Sequence, residues 1–305
     1  MGKSKDRVLG ALLGVAVGDA LGGPLEFCSA EEIQAQHGGP VREMIGGGWL
    51  NLAPGEITDD TEMTLAVAEG IVESPEDPIP AIGRRFIEWH DSGPRDIGNC
   101  CRAAIWQAKM TNAASADDWH RAAKHVHEET GGQTAGNGAL MRTIYPIIYY
   151  KQALFYDSST MAELIGQMTH WAEQSTLAIR AYALAVENII EDGHGGDEDR
   201  RKRQLEHHMK SIRKATNPKT LRPDGYVLNG LVYAINAIRD TDSFEDALVQ
   251  VVNLGGDADT IGAITGGLAG AIYGARAIPS RWTDALDKGI VQAIERLAEL
   301  AVNNK

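Results

Sequence analysis

Cysteine is scarce in this chain, and no pair of thiols is spaced for metal binding. The three cysteines are Cys28, Cys100 and Cys101. An odd count with two of them adjacent is no disulfide framework and suits a reducing cytoplasm. Without a C-x-x-C pair a thiolate zinc site is not expected. Surplus positive charge is missing too: 29 lysines and arginines face 42 aspartates and glutamates, a net charge of -13. That balance argues against a nucleic-acid partner, because neutralising phosphates needs a basic surface. A phosphate-bearing small molecule stays open, since metal ions or backbone N–H groups can hold it. Membrane insertion is not expected either. The apolar stretch over residues 8–17 follows Lys3, Lys5 and Arg7, but it is rich in glycine and alanine, stops at Asp19 and shows no cleavage pattern. It reads as a buried first helix, too short to span a bilayer.

What the chain does have is helical periodicity, with few period-two strands. The pattern predicts helices over 5–20, 60–73, 79–91, 98–110, 116–129, 138–151, 160–168, 172–191, 200–215, 227–239, 243–253, 258–274 and 281–302. The breakers between them, such as "SPEDPIP" and "TGGQTAGNG", are too short for domain linkers. One compact all-α domain of about 13 helices over residues 1–305 is therefore expected. Within it, Gly10, Gly14, Gly18 and Gly22 recur every fourth residue, as do Gly262, Gly266, Gly270 and Gly274. Each glycine costs a helix roughly 1 kcal/mol relative to alanine. Two bare stripes imply central helices that allow close backbone approach, on each other or on neighbours. The basic run "RRKRQLEHHMKSIRK", residues 200–214, reads as a solvated face or a docking patch for an acidic partner.

Two acidic turns carry the chemistry. In "GEITDDTEMT", Thr58 or Asp59 suits an N-cap, and Asp59 with Glu62 has capping-box spacing. In "LGGDADTIGA", Asp257, Asp259 and Thr260 head the second glycine-striped helix behind two flexible glycines. One helix needs one cap, so the surplus acid asks for more. If the turns meet, four carboxylates and two hydroxyls converge and must be neutralised. All-oxygen ligands favour two hard divalent cations, Mn²⁺ or Mg²⁺, over zinc or copper. Such a pair, about 4 Å apart, activates water, and hydrolysis is its natural chemistry.

The strings "GDALGGPLEF", "GEITDDTEMTLAVAEG", "SGPRDIGN", "GNGALMR", "MTHWAEQSTLA" and "GGDADTIGAITGGLAGAIYG" closely resemble the ADP-ribosylglycohydrolase family, most of all its bacterial dinitrogenase-reductase-activating branch. The resemblance implies an orthogonal helical fold around a binuclear centre, an ADP-ribosylated protein as substrate and ADP-ribose as product. It assigns Thr58, Asp59 and Asp60 to one ligand set and Asp257, Asp259 and Thr260 to the other. Glu26 matches an acid that reaches the metals, and Asp96 an acid near the ribose, both in roles of proton transfer or ribose positioning. Their plainer readings are a surface or capping glutamate and an N-cap. Gly98, Asn99, Asn137 and Gly138 match loops around ADP-ribose, and His170 a histidine near its phosphates or ribose. Arginine is the expected linkage, with serine-linked and other O-linked ADP-ribose as alternatives. Two rivals stand beside this reading. One is an HD-type phosphohydrolase built on His90 and Asp91. The other is a non-catalytic ADP-ribose-binding or toxin-immunity protein.

Overall fold

Glycine at every fourth position decides the centre of the molecule. The computed structural model describes residues 3–152, 156–191, 202, 203, 205, 207, 210–216 and 219–304. Among these residues the secondary structure is all-helical, with isolated bridges such as Ser29 to Gly255 and Gly136 to Tyr226 and no strand. The first part runs through α1 (Lys3–Gly22), α2 (Ala30–His37), α3 (Asp59–Glu73), α4 (Pro78–Asp91), α5 (Asn99–Met110), α6 (Ala116–Glu129), α7 (Ile144–Gln152), α8 (Ser158–Gly166) and α9 (Glu173–Glu191). It continues through α10 (Lys210–Ala215), α11 (Val227–Asp240), α12 (Phe244–Val252), α13 (Ala258–Tyr273), the single turn α14 (Ser280–Thr283) and α15 (Lys288–Asn303).

The two glycine stripes face each other. Gly10 lies against Gly270, Gly14 against Gly266, Gly18 against Gly262 and Gly22 against Ala258, so α1 and α13 run antiparallel. A Cβ on Gly266 would sit 1.9 Å from the Gly14 carbonyl oxygen, and one on Gly14 2.0 Å from that of Gly266. Helix α13 is buried from Ala258 to Ile272, which explains why its sequence is apolar all round. Helices α11 and α12 pack on α13, and α15 packs on α1. By length and hydropathy residues 4–25 would pass as a membrane span, longer than the apolar stretch alone suggests, yet 94% of an apolar 18-residue window within it is buried in the fold. Gly266→Ala is expected to destabilise the protein by about 3 kcal/mol, at the upper end of overpacking costs. A urea midpoint no lower than wild type would show that the helices are not held this closely.

Three helix boundaries differ from the sequence pattern. The stretch expected as one helix over 138–151 is a 3₁₀ turn, Asn137–Ala139, followed by α7 from Ile144. Pro146 requires this: it lacks an N–H and is tolerated only in a helix's first turn. The stretch 281–302 is likewise split, with Asp287 accepting from Gly289 N (2.8 Å) and Ile290 N (3.2 Å) to start α15 anew. Helix α2 escapes the periodicity because only Ile33 of its residues is buried. Its signal was the capping box of Ser29 and Glu32. Of the helix expected over 200–215, Lys210–Ala215 is described; within the basic run 200–214, residues 200, 201, 204, 206, 208 and 209 lie outside the described residues.

Candidate active site

Because α1 and α13 are antiparallel, the end of one lies beside the start of the other. After α1 the chain turns through Glu26 and Phe27, and Phe27 N donates to Gly256 O at 2.7 Å. Gly256 N returns a bond to Cys28 O at 2.8 Å. Gly255 and Gly256 have φ of 68° and 66°. A Cβ on either would meet a backbone carbonyl oxygen, that of Cys28 at 2.0 Å or that of Pro223 at 1.8 Å. The two glycines flagged as flexible are thus pinned, and they aim Asp257 and Asp259 inward.

The start of α3 supplies the opposing acid. Thr58 is the N-cap residue, but its side chain makes no capping bond. The capping box expected between Asp59 and Glu62 does not form, since Glu62 instead accepts from Trp89 Nε1 at 2.6 Å. Thr58 turns to Asp19, donating through N (3.0 Å) and Oγ1 (2.8 Å) to its Oδ1. Thr61 donates to Asp19 Oδ2 through N (3.1 Å) and Oγ1 (2.5 Å). Asp19 is fully buried. Burial lifts its carboxyl to about 6, against the opposing pull of these hydrogen bonds. Asp19 therefore braces the turn from behind. Sequence reasoning missed it, although it lies inside "GDALGGPLEF".

The two acidic turns meet. Thr260 Oγ1 donates to Asp60 Oδ2 at 3.2 Å, and Thr58 Oγ1 is 3.4 Å from the same oxygen. Asp60 is fully buried, and its Oδ1 has no partner. Burial and then neighbouring carboxylates hold Asp59, Asp60 and Asp259 well above the usual carboxylate range. Burial also raises Asp257, although Asn137 Nδ2 donates to its Oδ2 at 2.6 Å. Glu26 is pushed up to about 8 by burial, opposed by the Trp49 indole N–H, which donates to Oε2 at 2.5 Å. Oxygens of Glu26, Asp96 and Asp259 lie within 4.8 Å of one another. A cluster of oxygen donors with an orphaned buried carboxylate oxygen and no lysine or arginine on the pocket lining fits hard divalent cations.

Above the cluster opens a cavity of about 590 Å³, within the range of small-molecule sites. Glu26, Asp59, Asp257, Asp259 and Thr260 form its acidic floor, while Thr58 and Asp60 do not line it. Asp96, Gly98, Asn99, Asn137, Gly138 and His170 contribute the walls. Asp96 is not the N-cap of α5, a place held by Gly98, and the nearly buried Glu26 is no surface residue. Burial, and then the Arg142 guanidinium, depress His170 to about 3, so the imidazole is neutral at physiological pH. Its Nδ1 lies 2.8 Å from Thr169 Oγ1. Arg142, another residue the sequence reading passed over, lies buried behind this wall, donating to Gly138 O and to Thr169 Oγ1 (2.6 Å). The loop of Pro223, Asp224 and Gly225 was also missed; it lines the cavity and accepts Asn137 N through Gly225 O at 3.0 Å. The His90–Asp91 pair of the phosphohydrolase rival lies elsewhere. Asp91 accepts from Lys109 Nζ at 2.6 Å, and neither residue lines the cavity.

Fold and site together define a class: an all-α protein whose pocket ends in a carboxylate cluster suited to hard cations. The profile of the ADP-ribosylglycohydrolase family matches residues 2–305. Among curated relatives, the ADP-ribosyl-[dinitrogen reductase] glycohydrolase of Rhodospirillum rubrum is 36% identical over 297 residues, covering 95% of this chain and 94% of that protein. An ADP-ribosylarginine hydrolase of Serratia proteamaculans is 31% identical over 98% of this chain and 79% of its own. A solved structure, described as an ADP-ribosylglycohydrolase-related protein complex, superposes with a TM-score of 0.78 at 30% identity, covering 98% of this chain and 99% of its own. This chain belongs to the ADP-ribosylglycohydrolase family.

Proposed function

We propose that the chain hydrolyses the glycosidic bond between ADP-ribose and an arginine side chain of a modified protein. The observation that carries this is the buried acid cluster at the floor of a cavity of about 590 Å³, with glycines, Asn99, Asn137 and His170 in its walls. The relatives named for arginine and dinitrogen-reductase substrates support that linkage. Residues 1–305 act as one domain in the cytoplasm, and two divalent cations, Mn²⁺ or Mg²⁺, would be held by Thr58, Asp59, Asp60, Asp257, Asp259 and Thr260. Bound there, the cations would supply Lewis acidity and positive charge to ribose hydroxyls and water.

The chain's own residues then divide the work. Asn137 steers Asp257 through its 2.6 Å hydrogen bond, and Asp19 fixes the Thr58 turn from behind. Gly98 and Gly138 let backbone approach the nucleotide, with Asn99 and the neutral His170 offering polar contacts to it. Cleavage passes through an oxocarbenium-like state: water adds at C1″ as the C–N bond breaks, and the guanidine leaves with a proton. Glu26 and Asp96, whose oxygens lie within 4.8 Å of each other and of an Asp259 oxygen, hold that water's proton and the ribose hydroxyls in this reading.

The direct test is release of free ADP-ribose from an arginine-ADP-ribosylated protein with Mn²⁺, Mg²⁺ or EDTA, beside a serine-linked substrate. Cation-dependent release from the arginine substrate alone is expected. Release only from the serine substrate would move the specificity, and no release from either would favour a binding or immunity role.

A further inference from the structure

Phe27 is 69% exposed and Trp49 is 52% exposed, and both stand at the edge of the acid-floored cavity. Two large aromatics left in water beside a buried glutamate call for an explanation. Their ring centroids are 5.4 Å apart at an interplanar angle of 46°. Neither is loosely held. Phe27 sits at φ 62°, a conformation that is a genuine outlier for a bulky residue. Its N–H is tied to Gly256 O at 2.7 Å, on the loop that carries Asp257. Trp49 is anchored by its indole N–H on Glu26 Oε2 at 2.5 Å. Strain of this kind persists only where surrounding structure imposes it, and it concentrates at ligand clamps. A second hollow of about 530 Å³ opens on the other side of the same residues. Neither hollow is lined by a lysine or arginine, while Glu26, Glu32, Asp96 and Asp224 stand around them.

We propose that Phe27 and Trp49 form the subsite for the cationic side chain that leaves ADP-ribose, a guanidinium held against aromatic faces at the cavity mouth. The claim rests on the arginine reading above. Cations are attracted to the faces of aromatic rings, tryptophan most strongly. The surrounding carboxylates add a field of the right sign, and the two backbone and indole tethers remove the entropic cost of ordering the rings. The far hollow leaves room for the polypeptide that carries the side chain.

The test is calorimetric titration of agmatine, and of N-carbamoylputrescine, in which a neutral urea replaces the guanidinium while the ammonium end is kept, into the full chain in Mg²⁺ buffer. Wild type is expected to bind agmatine and to bind the urea analogue much more weakly. Phe27→Gly, which also relieves the positive φ, and Trp49→Ala should each weaken agmatine binding roughly tenfold. Trp49→Phe keeps a ring but loses the indole N–H, and should stay within about threefold of wild type. Unchanged binding in Phe27→Gly and Trp49→Ala, equal binding of the urea analogue, no binding by wild type, or a Trp49→Phe loss as large as that of Trp49→Ala would each overturn the subsite. ADP-ribose release from an arginine-modified protein is followed alongside. Turnover with unchanged binding in the variants removes only the subsite. Absence of turnover removes the arginine reading, while the titrations still decide whether the rings bind a guanidinium.

Discussion

Asp59→Asn is expected to lose ADP-ribose release by about 10³-fold or more, the scale of removing one electrostatic contact to a transition state. Asp257→Asn should behave alike. Both side chains line the cavity floor, and both belong to the turns joined by Thr260 and Asp60. The substitution keeps the shape and removes a charge from a cluster whose members raise one another. A metal-free preparation of Asp59→Asn should therefore be more stable than metal-free wild type at pH 8, even though it is inactive. That pairing separates a broken site from a broken fold. Turnover at the wild-type rate in either variant would sink the cation-holding role, and a metal-free Asp59→Asn that unfolds earlier than wild type would show that Asp59 serves the fold instead.

The second large effect is on stability as pH and divalent cation are varied together. In the fold, Asp19 titrates at about 6 and Glu26 at about 8, both raised chiefly by burial. In an unfolded chain these groups titrate near about 3.9 and 4.3. A carboxyl that holds its proton more tightly when folded favours the folded state at low pH. That contribution is complete below about pH 4 and is lost as pH rises through about 8. Metal-free protein should thus melt at a lower temperature at pH 8 than at pH 5, a loss on the order of 3 kcal/mol. Cation supplied at about 100 times its Kd should return about 2.7 kcal/mol, or roughly 4 °C in Tm for a chain of this length, and flatten the pH dependence. The check is a set of thermal scans at pH 5 and 8 with EDTA, Mg²⁺ or Mn²⁺. A metal-free protein equally stable at both values would mean the cluster is not self-repelling.

These expectations bear on the two readings open for "GEITDDTEMT", capping and cation binding. Thr58 spends its hydroxyl on Asp19, Glu62 accepts from Trp89, and Asp60 keeps an oxygen unpartnered. A cap would have used these groups on the backbone of α3. None does so.

Much of this was legible from the chain alone because it is written in local spacing. Four-residue glycine repeats can lie only along one side of a helix, and aspartate–threonine clusters at two helix starts are visible without a fold. The same local logic fails where the partner is distant in sequence. Pro146 and Asp287 break helices that apolar periodicity runs together, and α2 has a single buried residue to betray it. Asp19 looks like any helical aspartate until Thr58 and Thr61 close on it from some forty residues away. Phe27 and Trp49 are ordinary aromatics in the sequence; the 2.7 Å bond to Gly256 and the 2.5 Å bond to Glu26 make them a fixed pair at the cavity mouth. The sequence by itself determined the helical class, the glycine-faced pair and the residues rich enough in oxygen to hold cations. Only the tertiary structure decided that α1 and α13 lie antiparallel, because that choice depends on which bare backbone meets which. Through it, Glu26, Asp60 and Asp259 come to share one buried, uncompensated space.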